Sequence, residues 1–90
     1  MKWNTILDKE PRKHLNKLDV RTALRIVESL RVLEKLDNPL IHKDVRKLTG
    51  RLKDRYRLRV GEYRIIFRIK SRERFIEALD IVHRREAYKR

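Results

Sequence analysis

Residues 55 to 69 read RYRLRV-GE-YRIIFRI, two runs on either side of a glycine and one further residue. In the first run basic and apolar residues alternate at period 2, the spacing of a half-buried β-strand. Gly61-Glu62 fits a two-residue hairpin loop, and glycine at the first central position suits a type II′ turn. A loop this short fixes the register. Val60 should pair with Tyr63, Arg59 with Arg64, Leu58 with Ile65, Arg57 with Ile66, and Tyr56 with Phe67. Side chains alternate between faces, so Tyr56, Leu58, Val60, Tyr63, Ile65 and Phe67 share an apolar face. The opposite face carries Arg55, Arg57, Arg59, Arg64, Ile66 and Arg68.

The apolar face needs a cover, and the first half of the chain supplies one. From Val20 the apolar positions run Ala23, Ile26, Val27, Leu30 and Leu33, with Leu36 near the end, which is the stripe of an amphipathic helix. Asp19 is its candidate N-cap and Asp37-Asn38-Pro39 its stop. Lys9 to Leu18 forms a shorter helix with Pro11 in its first turn. The short link at Leu18-Asp19 makes the two a helical hairpin. Lys2 to Leu7 is a weak first strand, with Trp3 in the core. Leu40 to Lys47 has no clear period and reads as a loop or helical turn, before a bend at Leu48-Thr49-Gly50. Lys70 to Arg74 is a charged turn. Phe75 to His83 is apolar enough for a central strand covered on both faces. Arg84 to Arg90 is a polar tail or one helical turn.

The order β, α, α, then three or more antiparallel strands predicts an α+β fold. A helical hairpin at the N-terminus packs on one face of a small twisted antiparallel sheet, in a single domain over residues 1–90. At 90 residues the chain has room for one core, and 40% hydrophobic residues supply it. The chain has no cysteine and only two glycines. Disulfide frameworks, thiol nucleophiles, cysteine-ligated zinc and Gly-rich phosphate loops are therefore excluded. No apolar run is long enough for a transmembrane helix. Met1 to Glu10 lacks the apolar core of a secretory signal, so a cytosolic protein is expected. No His, Asp and Glu have metal-ligand spacing, and neither metal nor cofactor is expected. His14 and His42 lie outside the basic segment and are expected at the surface.

Charge narrows the partners. There are 26 Lys+Arg against 13 Asp+Glu, a formal net charge of +13. Residues 1–45 hold 10 basic and 7 acidic residues, whereas residues 46–90 hold 16 and 6. The excess therefore belongs to one part of the fold and points to a polyanion: nucleic acid, an acidic protein or an anionic surface. The hairpin sharpens this, because Arg59 faces Arg64, and Arg55 faces Arg68. Directly opposed like charges destabilise a sheet. An anionic ligand would relieve that repulsion, and arginine's planar fork suits phosphate. Counterions or acids from neighbouring elements would relieve it too.

Leu48-Thr49-Gly50, the run from Tyr56 to Phe67, and Val82-His83-Arg84-Arg85-Glu86-Ala87-Tyr88 together resemble the RelE/ParE toxin superfamily, most of all its RelE branch. The preceding helical hairpin fits the same resemblance, which covers nearly the whole chain. It implies the toxin of a type II toxin–antitoxin module: a metal-independent endonuclease that cuts mRNA in the ribosomal A site, the 2′-hydroxyl attacking the adjacent phosphate. It also implies an acidic antitoxin of the RelB type as partner, together with the ribosome and mRNA, and no membrane. The family's catalytic positions fall on Arg57, Arg59, Arg64, Arg84 and Tyr88. Arg55, Arg68, His83 and Arg85 join them as phosphate-binding candidates.

Arg57 and Arg59 stand where the family often has lysines. Arginine stays protonated, so these positions can stabilise charge but cannot take a proton. The proton of the 2′-hydroxyl then goes to Tyr88, if neighbouring cations lower its pKa, or to His83. Tyr88 can alternatively stack on an unpaired base. Two other functions compete: a ParE-like protein that poisons a topoisomerase by binding, and a basic nucleic-acid-binding module without catalysis.

Overall fold

Asp19 opens the longest helix as expected, its carboxylate accepting the Thr22 N–H at 3.3 Å. In the computed structural model, which describes residues 2–87, the elements in chain order are β1 (Asn4–Leu7), α1 (Lys9–Lys17), α2 (Val20–Lys35), β2 (Val45–Lys47), β3 (Tyr56–Val60), β4 (Tyr63–Lys70), β5 (Phe75–His83) and α3 (Arg84–Ala87). Single 3-10 turns occupy Pro39–Ile41 and Gly50–Leu52. The five strands form one sheet in the order β1-β5-β4-β3-β2.

The hairpin forms in the predicted register, from Val60↔Tyr63 to Tyr56↔Phe67. Gly61 has φ +58, and Glu62 lies outside the left-handed region. Positive φ at the first central residue alone is the signature of a type II′ turn. The predicted apolar face is the core face. Leu58, Val60, Ile65 and Phe67 are buried there, with Tyr56 and Tyr63 half-buried beside them. Ile26, Leu30 and Leu33 of α2 pack on them, flanked by Leu15 and Leu18 at α1 and by Ile76, Ala78 and Ile81 of β5. Full burial stabilises by roughly 1.5–3 kcal/mol per large apolar side chain, and it is this layer that holds helices to sheet.

Two expectations are corrected. The sheet is mixed, because β1 runs parallel to β5, from Asn4↔Phe75 to Leu7↔Ala78. No hairpin dictates the direction of strands separated by most of the chain; the helical hairpin and the three other strands supply the long crossover that parallel pairing needs. The aperiodic segment Leu40–Lys47 contains β2, which pairs with β3 from Val45↔Leu58 to Lys47↔Tyr56. A three-residue strand with only Val45 buried carries no readable period; pairing with β3 defines it. The charged tail begins as α3, within the expectation of one helical turn.

A bulge lets β5 serve two faces. Ile66 pairs with Asp80 but Phe67 with Ala78, which leaves Leu79 unopposed. The shift puts Ile76, Ala78 and Ile81 on the core face. Val82 and Ile66 are also buried, outside that core cluster, so the sheet is covered on part of its second face as the composition of β5 predicts. β1 accompanies β5 only as far as Ala78. Beyond that point α1 closes the edge of β5: the Asp8 N–H reaches the Ala78 carbonyl at 3.3 Å, and His14 Nδ1 donates to the Ile81 carbonyl at 3.2 Å, 3.4 Å from Asp80. His14 is thus a tie between helix and strand rather than a plain surface residue.

The outer strands are protected as well. On β1's side, the Trp3 and Thr5 N–H groups donate to the Glu34 carbonyl at 3.0 Å and the Glu34 carboxylate at 2.8 Å. Beside β2, the Arg46 side chain donates 2.9 Å bonds to the Lys43 and Val45 carbonyls. Such devices blunt sheet edges against strand addition.

Gly61→Ala should destabilise the fold by about 1–2 kcal/mol, because the left-handed backbone disfavours a Cβ and the new atom would sit 3.3 Å from the Arg25 guanidinium. Urea denaturation of the two proteins measures this. Equal midpoints would show that the turn relaxes to another type.

Candidate functional site

Alternation along β3 and β4 and the short link to α3 bring the predicted cations to the sheet face opposite the core and to the hairpin end. Arg59 lies directly across from Arg64, and Arg57 lies between Arg46 of β2 and Ile66 of β4. Arg84 follows β5 directly, and its N–H donates to the Glu62 carbonyl in the hairpin turn at 2.7 Å. Arg59, Arg64, His83, Arg84 and Arg85 therefore stand on residues at the hairpin end of the sheet, with Arg57 two residues further along β3. Arg55 and Arg68 belong to the other end. Arg68 is four residues beyond Arg64, about 13 Å along the strand. Tyr88 lies outside the described residues.

The expected clash between opposed arginines does not arise, for reasons that differ by residue. Arg59 turns to the sheet edge, where its Nη2 donates to Asp44 at 2.8 Å. There it borders a cleft of about 430 Å³ between α2 and the hairpin, with Arg25 and Glu28 on the far side. Arg64 folds back under the turn, and its Nη1 donates 2.9 Å bonds to the Gly61 and Tyr63 carbonyls. It is only 6% exposed, which corrects its expected position on an open polar face. Val82 beside it in the ladder and Ile66 are buried on this side, and α3 packs against β4 and β5 here. Arg64 thus belongs to a covered part of the face, and its guanidinium fastens the turn.

The Arg55–Arg68 pair is not formed, because β3 begins at Tyr56. Arg55 Nε instead lies 3.8 Å from Asp54. Arg68 faces Glu77 of β5 and donates to it at 2.7 Å, with Lys70 at 3.8 Å from the same carboxylate. Acids from neighbouring elements, one of the alternatives open in the sequence, therefore relieve much of the repulsion. The hydrogen bond from Arg59 holds the Asp44 carboxyl below the usual carboxylate range, against the desolvation that would raise it. Arg68 does the same for Glu77, and in return its own pKa is raised.

The two candidate proton acceptors now separate. His83 Nδ1 accepts the Arg85 N–H at 3.3 Å, and Nε2 lies 3.3 Å from the Glu62 carboxylate. Both ring nitrogens are engaged in this conformation, so the ring has no lone pair facing a substrate. Three carboxylates, Asp44, Glu62 and Glu77, are members of the site that sequence reasoning did not place. Asp44 was hidden because β2 was unreadable. Glu77 stood opposite Arg68 only once the bulge was known. Among the described residues no three His, Cys, Asp or Glu side chains are grouped to hold a metal ion, and no helix is long and apolar enough to cross a membrane.

Residues 6–88 match the family described as the ParE toxin of type II toxin–antitoxin system, parDE. No curated protein matches the sequence. Among solved structures, the archaeal RelE–RelB complex from Pyrococcus horikoshii OT3 is 30% identical, with 93% of this chain and 97% of that chain covered and a TM-score of 0.78. The RelBE2 toxin–antitoxin complex from Mycobacterium tuberculosis is 22% identical over 93% of this chain and 100% of that chain, with a TM-score of 0.79. The YoeB/ParE toxin from Agrobacterium tumefaciens is 14% identical over 89% and 96%, with a TM-score of 0.75. The last two show the fold alone.

The lowered pKa values of Asp44 and Glu77 set an acid limit. Both carboxyls titrate lower in the folded than in the unfolded chain. Their contribution is complete above the unfolded carboxylate range near pH 4 and is lost as pH falls through the folded values. Thermal melts between about pH 6 and pH 2 should show Asp44→Asn and Glu77→Gln each flattening the acid-side loss of stability. Parallel profiles for wild type and both variants would show that these pairs do not govern it.

Proposed function

The chain belongs to the ParE toxin family of type II toxin–antitoxin systems, within the RelE/ParE superfamily, and from that premise we propose that it is a ribosome-dependent mRNA endonuclease acting in the cytoplasm. The observation that carries this reading is the placement of Arg59, Arg64, Arg84 and Arg85 on residues around the hairpin end of the sheet, with Arg57 two residues further along β3. In the proposed reaction the ribose 2′-hydroxyl attacks the adjacent phosphate and gives up its proton, a 2′,3′-cyclic phosphate forms as the P–O5′ bond breaks, and the 5′-oxygen takes up one proton in return, so the step is proton-neutral. The protein's work is electrostatic: arginines placed around the phosphate stabilise the charge of the pentacoordinate transition state. Arg57 and Arg84 flank the covered Arg64. Arg59 reaches the phosphate by exchanging its contact with Asp44.

Arginine cannot act as a base, and both His83 nitrogens are engaged, which leaves Tyr88 as the proposed acceptor of the 2′-hydroxyl proton. Arg68, about 13 Å from Arg64 along β4, and Arg55, ahead of β3, serve the RNA strand beyond the cut, not the cut itself. The ribosome holds the message in the conformation for in-line attack, a positional contribution that one small basic face does not supply alone.

The partner follows from charge and family. The Pyrococcus and Mycobacterium structures are toxin–antitoxin complexes, and a net charge of +13 favours an acidic counterpart. We assign this chain an antitoxin of the RelB type. A second reading draws on the family match itself: as a ParE-type toxin, the protein would poison a topoisomerase by binding, without cutting RNA.

Purified protein added to programmed ribosomes should cut the message within its reading frame, as mapped by primer extension, and should leave the same RNA intact without ribosomes. Arg57→Ala and Arg84→Ala should each lower the single-turnover rate by about 10²- to 10³-fold with melting temperatures near wild type. Arg64→Ala should lose stability as well as rate, because the residue is buried under the turn. Intact message together with inhibited supercoiling by gyrase would replace the nuclease reading with the ParE-type one.

A further inference from the structure

The hairpin turn and the start of α3 share one residue. The Arg84 N–H donates to the Glu62 carbonyl. The Glu62 carboxylate receives His83 Nε2 at 3.3 Å and lies 3.9 Å from the Arg84 guanidinium. Across the imidazole, Nδ1 accepts the Arg85 N–H at 3.3 Å. A backbone N–H can only donate, so Nδ1 is the unprotonated nitrogen and Nε2 carries the hydrogen that Glu62 accepts. The ring stands nearly perpendicular to that of Tyr63, with centroids 5.5 Å apart. His83 therefore caps the first turn of α3 with one nitrogen, and Glu62 orients it through the other.

We propose that Glu62 is a positioning residue whose carboxylate, by orienting His83, fixes where α3 begins and hence where Arg84 and Arg85 stand relative to Arg64. α3 has four described residues, too few to hold a helical shape without outside contacts, so its geometry is set by the groups at its first turn. Glu62 is exposed, and each of its contacts is weak in isolation. Their effect comes from convergence: one carboxylate meets the ring that caps the helix and the first cation of the helix. The backbone bond from Arg84 to Glu62 does not depend on the side chain. Removing the carboxylate therefore leaves the turn anchored while the imidazole is free to rotate. The role also accounts for an acid in the hairpin turn beside Arg84, where it would otherwise repel the substrate.

The proposal rests on the endonuclease reading for its activity measurement but not for its structural one. Glu62→Ala and Glu62→Gln are compared with wild type by NMR and on programmed ribosomes. Glutamine keeps an oxygen that accepts from Nε2, so it should preserve the behaviour of wild type. In Glu62→Ala the carbon-bound protons of His83 should lose the ring-current shift imposed by Tyr63, and the Arg85 amide should exchange about tenfold faster. On ribosomes, Glu62→Ala should lower kcat about tenfold with KM unchanged, the signature of misplaced groups rather than lost binding, while Glu62→Gln stays near wild type. If the wild-type chain cuts nothing, the endonuclease reading fails, and the His83 shifts and Arg85 exchange still decide the contact. Unchanged shifts, exchange and kcat in Glu62→Ala would overturn the proposal. So would equal losses in both variants, because the charge rather than the accepting oxygen would then matter.

Discussion

Two residues between β3 and β4 leave those strands no freedom to slide, and the rest of the molecule depends on that constraint. A shift of β3 by one position against β4 would move Leu58 and Val60 to the opposite side of the sheet and bring Arg57 and Arg59 under α2. With the register fixed, the apolar side chains meet the stripe of α2 and the basic ones meet solvent or acids. Gly61 makes the turn possible through its positive φ, and Arg64 secures it from beneath through the Gly61 and Tyr63 carbonyls. The same turn receives α3 through Glu62. Core, cation face and C-terminal segment thus all take their positions from four consecutive residues.

The sequence discloses structure where a local rule applies. The hairpin register, the cap and stripe of α2, and the bounds of β5 follow from period, capping chemistry and turn length, and all are observed. What stayed hidden depends on partners far apart in the chain. The parallel course of β1, the existence of β2 and the bulge at Leu79 are decided by pairing across the fold. The site shows the same division. Which arginines share the second face was legible, because alternation is local. That Arg59 binds Asp44, that Arg64 is buried and that Arg68 binds Glu77 was not, because each depends on a neighbouring strand or on the cover over the sheet.

Opposed arginines in a sheet call for an anion, whether a ligand or the protein's own acids. The structure answers with the latter. Asp44, Glu62 and Glu77 each stand beside an arginine of the face, so the guanidinium groups are held in place without substrate. In the proposed reaction phosphate would compete with carboxylates for some of them. Such competition weakens binding of arbitrary polyanions relative to one presented in the right geometry, and selectivity follows from interactions that oppose the substrate as much as from those that attract it.

Both margins of the sheet are closed by the molecule's own groups, Glu34 beside β1 and Arg46 beside β2. A toxin released from its antidote finds itself among nascent chains and unfolded proteins that are rich in unpaired strands. An open margin would let those segments lengthen the sheet and sequester the toxin in aggregates. Occupied margins oppose that fate, so freed copies are better kept apart than an open sheet would allow. A partner that added a strand to either border would first have to displace Glu34 or Arg46.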